Sequence, residues 1–169
     1  MATASEPKFM LKKIISGGHE GVEKAALDSA IALGIDYGGW TYKGRKAELT
    51  LLSDRDKISE TPDRSFENRI EMNVLEADGS VIFTHGKLTI GLKLVKEMAA
   101  RHGHPCIHID LTESPLNIAA TTIRAWMIKN EIEIVYFTGQ KDFSSSDIYS
   151  EVRGILEGIY RMETEPQDL

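Results

Sequence analysis

The sequence is poor in cysteine, in long apolar runs and in excess positive charge. It contains one cysteine, Cys106, so it cannot form an internal disulfide, which suits a reducing compartment. No apolar run approaches the length of a membrane span, and the start, Met1 to Pro7, lacks the apolar core of a signal peptide. The net charge of −6 leaves no broad basic field for a nucleic-acid backbone. We therefore expect a cytoplasmic protein that binds neither membranes nor nucleic acids.

What the chain does have is a regular alternation of short apolar runs and segments with helical periodicity. We expect strands at 12–16, 35–40, 80–84, 106–109 and 132–138. The runs lack polar alternation, which is typical of strands that are covered on both faces. The short connections favour parallel strands with right-handed crossovers. The pattern predicts an α/β, Rossmann-like three-layer sandwich, with a mostly parallel central sheet flanked by helices.

The same pattern sets the expected boundaries. Residues 12–162 form a single Rossmann-like ligand-binding domain, between flexible tails at 1–11 and 163–169. Residues 41–62, which are charged and weakly periodic, are expected to be an ordered excursion loop. Smaller expectations concern helix and strand ends: Asp63 caps a helix, Asp78-Gly79 turns the chain, Pro115 takes a first helical position, and Ser144–Ser146 start the last helix.

The glycine-rich segment from Ser16 to Gly21 follows the first strand and opens a helix. Glycines and a helix N-terminus together favour an anion, although the same pattern also suits a tight turn without a ligand. Glu20 is expected in the first helical turn, where it would occupy this anion site itself and weaken phosphate binding. Alternatively, Glu20 accepts hydrogen bonds from a ring amide and amine of the ligand.

Two further groups are candidates for ligand contact. Trp40 could stack on a flat heterocycle while Lys43 and Arg45 hold phosphate, or the segment is a basic surface loop over a half-buried tryptophan. Arg69 and Asn73 share one helix face, which could equally be a solvated face.

His104, Cys106, His108 and Asp110 alternate along one strand and so share a face. That arrangement invites a zinc hypothesis, but a buried strand with a core cysteine explains it equally well. We expect no protein-ligated metal. No serine–histidine–acid or cysteine–histidine arrangement is supported, so no catalytic residue is assigned.

Several blocks in order carry a specific resemblance. They are Gly17-Gly18-x-x-Gly21, Ala25-Ala26-Leu27-Asp28, Gly38-Gly39-Trp40-x-x-Lys43-Gly44-Arg45, Glu60-Thr61-Pro62, Arg69-x-Glu71-x-Asn73-Val74, Asp78-Gly79, Leu88-Thr89-x-Gly91 and His104-Pro105-Cys106. Over residues 12 to 160 the chain resembles the family called "putative molybdenum cofactor carrier". That family belongs to a Rossmann-like superfamily that also holds cytokinin-activating phosphoribohydrolases.

The chain departs from the family in its loops. His19 and Glu20 stand where a neutral pair is usual, Leu92 lies in the altered central loop, and Gln140 lies in the altered last loop. The hydrolase relatives use an arginine, matched by Arg69, and a glutamate after the central loop, which has no match here. The resemblance therefore argues against hydrolase activity.

The resemblance implies a carrier that holds a phosphorylated heterocycle, either molybdenum cofactor (molybdopterin) or a nucleotide, at the carboxyl edge of the strands. The alternatives are a phosphoribohydrolase-type enzyme and a non-catalytic nucleotide-sensing module. The resemblance also implies a homo-oligomer, dimer or tetramer, with apolar surface offered by 90–102 and by the segment around Trp126. Spacing and resemblance together give as candidate ligand residues Ser16, Gly17, Gly18, His19, Glu20, Gly21, Trp40, Lys43, Gly44, Arg45, Arg69, Asn73, Thr84, Gly86, Thr89, Gly91, Gly139 and Lys141.

Overall fold

The computed structural model describes residues 10–45, 57–141 and 147–165, in which strands and helices alternate. The elements are β1 Lys13–Ile15, α1 Val22–Leu33, β2 Asp36–Thr41, β3 Ile58–Glu60, α2 Phe66–Glu76, β4 Gly79–Thr84, α3 Ile90–Arg101, β5 Cys106–Asp110, α4 Leu116–Asn130, β6 Ile134–Gly139 and α5 Ile148–Thr164. The predicted α/β alternation is confirmed, and most predicted ends lie within two residues of these bounds. None of the helices in the described part of the chain is both long and apolar enough to cross a membrane.

The six strands form one sheet in the order β3-β2-β1-β6-β4-β5, and every strand pair is parallel. The crossover lies between β1 and β6, with Ile14 opposite Val135 in the register. Open parallel sheets bind ligands beyond the carboxyl ends of their strands, at the point where the strand order reverses. From β1 the chain adds β2 and β3 on one side of the sheet and then places β4, β5 and β6 on the other side. The strand order therefore reverses beside β1, and a ligand is expected at its carboxyl end.

Alternate side chains of each strand enter two separate cores. Ile14 and Phe137 pack with α1, α4 and α5 on one face, whereas Ile15 and Tyr136 pack with α2 and α3 on the other. This alternation follows from the two-residue period of a strand. The helices thus cover both faces, and the predicted three-layer sandwich is confirmed.

Several expected details are wrong. Residues 58–60 form β3, an edge strand inside the predicted excursion loop, and pair with β2 through Trp40 and Ser59. Ser65 rather than Asp63 caps α2, by accepting the N–H of Asn68 at 3.2 Å. Asp63 precedes Ser65 in the loop before α2, and its carboxylate accepts the Ser65 N–H at 2.9 Å.

Two other ends are also shifted. Gly79 is the first residue of β4 rather than part of a turn. Pro115 stands at the cap position and α4 begins at Leu116.

The two ends of the described chain are joined. The Leu11 N–H donates to the Glu163 carboxylate at 3.0 Å, and Arg124 lies 3.5 Å from the same carboxylate. Both Leu11 and Glu163 are buried, although the sequence assigns them to tails. Helix α5 begins at Ile148 and continues to Thr164, and the expected start at 144–146 lies outside the described residues.

Candidate functional site

A cavity of about 240 Å³ opens at the carboxyl ends of β1 and β6, between α2 and α3. Its walls are mostly apolar and come from α2, α3 and β6: Phe66, Ile70, Leu92, Val95 and Tyr136. Gly91 brings α3 close to α2, since a Cβ at this position would lie 3.1 Å from the Phe66 ring. An apolar slot of this kind suits a flat ring.

The buried carboxylate of Glu23 lines this mostly apolar cavity, whose other charged lining residues are Glu20, Arg69 and Lys141. Glu23 stands in the first turn of α1 and is only 8% exposed. One carboxylate oxygen accepts the Gly17 N–H at 3.1 Å, and the other accepts the Thr138 hydroxyl at 2.7 Å. Burial, reinforced by the Glu23 charge, raises the pKa of the Tyr136 phenol well above its usual range.

The glycine-rich loop is folded around this carboxylate. A Cβ at Gly17 would lie 2.7 Å from Glu23 Oε1, so the residue must be glycine if the carboxylate is to stay in place. Gly18 takes a φ of 75°, which other residues rarely adopt. The Ser16 hydroxyl closes the loop by donating to the Glu23 carbonyl at 2.8 Å and accepting the Gly18 N–H at 3.1 Å.

Several backbone N–H groups of this loop and of the start of α1 bond within the protein itself. Besides Gly17 and Gly18, the Val22 N–H donates to the Gln140 carbonyl and the Lys24 N–H donates to the His19 carbonyl. A phosphate bound here would have to displace these acceptors and approach the Glu23 charge. The N–H groups of Gly17 and Gly18, two of those expected to face an anion, are thus already bonded within the protein.

A second cavity of about 340 Å³ adjoins the first and carries positive charge. It shares His19, Glu20, Phe66, Arg69 and Lys141 with the apolar cavity. Its further lining residues are Tyr42, Arg45 and Arg64. Arginine and lysine side chains in one concave surface are typical of phosphate binding.

Tyr42 organises the cations in this second cavity. The Arg64 guanidinium lies 5.0 Å from the Tyr42 ring centroid, and that of Arg69 lies 5.8 Å from it. Arg69 also stands 4.9 Å from the Phe66 ring. Such cation–π contacts hold the two guanidinium groups near the Tyr42 ring without neutralising them.

His19 lines both cavities, near Glu23 and near the cations of the second cavity, and its ring is neutral. Burial lowers its pKa to about 4, and Arg69, Arg45 and Lys141 lower it further against the opposing pull of Glu23. Its Nε2 contacts the Arg69 Nη1. Because a guanidinium only donates, Nε2 is the acceptor and the ring proton lies on Nδ1.

Glu20 does not stand in the first turn of α1 as expected. It precedes Gly21, the residue that caps the helix, and it is exposed. The acidic residue of the first turn is Glu23, which the sequence analysis did not select. Glu20 nevertheless lines both cavities.

Other predicted ligand residues are placed by the structure in or beside the cavities. Thr89, Gly91, Gly139 and Lys141 line the apolar cavity together with His19, Glu20 and Arg69. Ser16, Gly17, Gly18 and Gly21 form the loop beneath it.

Trp40 and Asn73 lie apart from the two cavities. The Asn73 side chain pairs with the Trp40 backbone, accepting its N–H at 2.7 Å and donating to its carbonyl at 3.0 Å. The Trp40 indole N–H donates to Glu76 at 3.2 Å. Trp40 is thus held against α2, and it lines neither cavity.

Four further predicted residues also serve the surrounding loops. The Lys43 N–H donates to the Asp63 carbonyl at 3.2 Å, and the Gly44 N–H donates to Glu60. The Thr84 hydroxyl donates to the Gly86 carbonyl at 2.6 Å, and the Gly86 N–H donates to Asp110 at 2.8 Å.

The strand considered for zinc has other contacts. His108 Nε2 lies 2.7 Å from the Thr84 hydroxyl, and burial raises the pKa of the Cys106 thiol to about 11. Within 10–45, 57–141 and 147–165, no three His, Cys, Asp or Glu residues are grouped to hold a metal ion.

Sequence reasoning missed several residues that line the cavities. Phe66 is half-exposed and lines both cavities. For Glu23, the available signal was its position two residues after Gly21, at the start of a helix. The other missed residues are Tyr42, Arg64, Ile70, Val95, Tyr136 and Thr138.

Comparison with known proteins gives matches that cover most of the chain. The model of the circularly permutated YpsA SLOG family matches residues 14–160. A similar crystal structure, of a "Putative molybdenum carrier protein" from Syntrophus aciditrophicus SB, has a TM-score of 0.81 and 35% sequence identity, over 92% of this chain and 97% of that chain. No curated protein matches. These matches confirm the resemblance inferred from the sequence blocks.

Proposed function

The chain belongs to the circularly permutated YpsA SLOG family, and we propose that it binds and carries a phosphorylated heterocycle in its two adjoining cavities. The ring occupies the apolar cavity between Phe66 and Leu92, and the phosphate faces the cations of the second cavity. Together the two cavities reach the size range of small-molecule sites.

The observation that carries this proposal is the separation of charge along the joined cavities. Glu23 lines only the first cavity and Arg45 and Arg64 line only the second, whereas Glu20, Arg69 and Lys141 line both. A ligand with an uncharged ring and a charged phosphate matches this polarity. Phosphate binding by the glycine-rich loop would instead place two negative groups side by side.

Molybdenum cofactor is one candidate, because the similar crystal structure carries the name of a molybdenum carrier and because the cofactor joins a pterin to a phosphate. A nucleotide has the same two-part character and is the other candidate. Binding without turnover fits the α3 end of the cavity, where Gly91 and Leu92 supply no acid or base.

The experiment that tests this proposal compares GMP, guanosine and inorganic phosphate by titration calorimetry. Arg69→Gln should weaken GMP binding roughly ten- to a hundredfold, because a charge-assisted bond to phosphate is lost, and should change guanosine binding little. Arg161→Gln is the control, since Arg161 is exposed on α5 and paired with Glu157 at 2.6 Å. The proposal fails if wild-type protein binds GMP no more tightly than guanosine.

A further inference from the structure

Resting on the proposed function, we infer that Glu23 determines which ring the protein accepts. The carboxylate selects a ring edge on which a ring N–H and an exocyclic NH₂ point the same way. Guanine, which is 2-amino-6-oxo, and the pterins, which are 2-amino-4-oxo, share this edge. Glu23 is the buried carboxylate among the residues that line the mostly apolar cavity, whereas Glu20 is exposed.

The lone pairs of Glu23 leave room for such a ligand. Its two oxygens offer about four acceptor positions. The Gly17 N–H and the Thr138 hydroxyl take one on each oxygen. These two bonds fix the carboxylate in place while leaving capacity on both oxygens for two parallel donors.

The electrostatic setting also favours a donor pair rather than an anion or an acceptor. A negative group in an apolar cavity attracts N–H groups strongly, because little water competes for it. It repels a phosphate, which has the cations of the second cavity available. It also repels a ring edge that presents a lone pair.

Purine bases differ at this edge in a graded way. Guanine offers N1–H and the 2-amino group, hypoxanthine offers N1–H alone, and adenine presents a lone pair at N1. Glu23 should therefore rank the three monophosphates GMP, IMP and AMP in that order. A site built to satisfy polar groups rejects analogues that leave those groups unpaired.

The first test measures the wild-type protein alone, so it does not depend on any variant folding. GMP, IMP, AMP and a pterin that carries one phosphate ester are titrated by calorimetry. We expect GMP or the pterin phosphate to bind roughly ten- to a hundredfold more tightly than AMP, with IMP between them. Equal binding of AMP, GMP and the pterin phosphate would overturn the inference. The tighter of those two ligands identifies the guanine or the pterin source.

The second test replaces the carboxylate. Glu23→Gln keeps the shape but offers one acceptor oxygen, so the preference for GMP over AMP should shrink by at least tenfold. The readout is the ratio of affinities, which a merely structural role would leave unchanged. Glu157→Gln is the matched control: it removes the same charge from an exposed position on α5 that lines neither cavity, and the ratio should stay as in the wild type.

Failure of this inference is distinguishable from failure of the proposed function. If phosphate esters bind more tightly than their nucleosides but without base preference, the phosphate site stands and the role of Glu23 is wrong. If phosphate esters bind no better than nucleosides, the proposed function itself is wrong. A Glu23→Gln protein that folds and retains the wild-type ratio also contradicts the inference.

Discussion

The Gly17 N–H donates to Glu23 Oε1 at 3.1 Å, and a Cβ on Gly17 would lie 2.7 Å from that same oxygen. The missing side chain of one residue thus makes room for the carboxylate of the other, six positions along the chain. The glycine-rich loop, whose sequence favours an external anion, holds an internal one.

This relationship predicts the effect of a single methyl group. Gly17→Ala should lower the free energy of unfolding by about 1–3 kcal/mol, because Glu23 must move and its bonds to Gly17 and Thr138 are strained. Urea denaturation measures the change. Gly154→Ala is the control: its Cβ would lie 3.8 Å from Leu116, an ordinary contact, and it should raise stability by about 0.4–1 kcal/mol. A neutral or stabilising Gly17→Ala would contradict the packing described.

His19 predicts a pH dependence of stability. The pKa of His19 is about 4 in the folded protein and 6.5 in the unfolded chain, so between these values the unfolded chain binds the proton more readily. The contribution of neutral His19 to the free energy of unfolding is complete above pH 6.5. It is lost as the pH falls to about 4, and the total is about 3 kcal/mol.

The check is to compare unfolding free energies of wild type and His19→Gln at several pH values. Glutamine can still accept the Arg69 N–H but cannot titrate in this range. The variant should therefore lose less stability than the wild type on acidification through this window. Parallel curves for the two proteins would show that His19 is not a buried neutral group.

Replacing Glu20 should strengthen the binding of a phosphate ester. Because Glu20 precedes the helix cap, Glu20→Thr should leave thermal stability nearly unchanged. The carboxylate lines the second cavity together with Arg45, Arg64 and Arg69, so its removal should tighten GMP binding a few-fold at low salt and less at high salt. Titrations at two salt concentrations measure this. Weaker binding by the variant would mean that Glu20 contacts the ligand directly.

For assembly, we propose a dimer or tetramer. Ile90 is 88% exposed at the start of α3, beside the half-exposed Phe66, and Ile128 is exposed on α4. Trp126, by contrast, packs over Gly79 and offers less surface than expected. Light scattering at micromolar concentration should give a mass above that of one chain. A monomer alone would contradict this proposal.

Much of the fold could be predicted, because its strands and helices differ in period and length. β4 is a continuous buried run, and α3 has a threonine cap and a regular apolar face. β3 could not be predicted, because three residues with one buried side chain, Ile58, carry too little periodic signal. β3 forms only because it pairs with β2, and a local stretch of sequence does not show that pairing.

The site was less predictable for a similar reason. Glu23 acquires its place from Thr138, which lies 115 positions away along the chain. Local sequence could only interpret an acidic residue near a helix start as a partner of the helix dipole. Likewise, the aromatic ring of Trp40 suggested stacking on a ligand, but the pairing of its backbone with Asn73 holds it against α2.

The most direct test of the central claim is a crystal structure of the protein with GMP bound. The account predicts the guanine ring in the apolar cavity, its N1–H and 2-amino group on Glu23, and the phosphate within hydrogen-bond distance of Arg69. A phosphate on the N–H groups of Gly17 and Gly18, with the Glu23 carboxylate displaced, would contradict it.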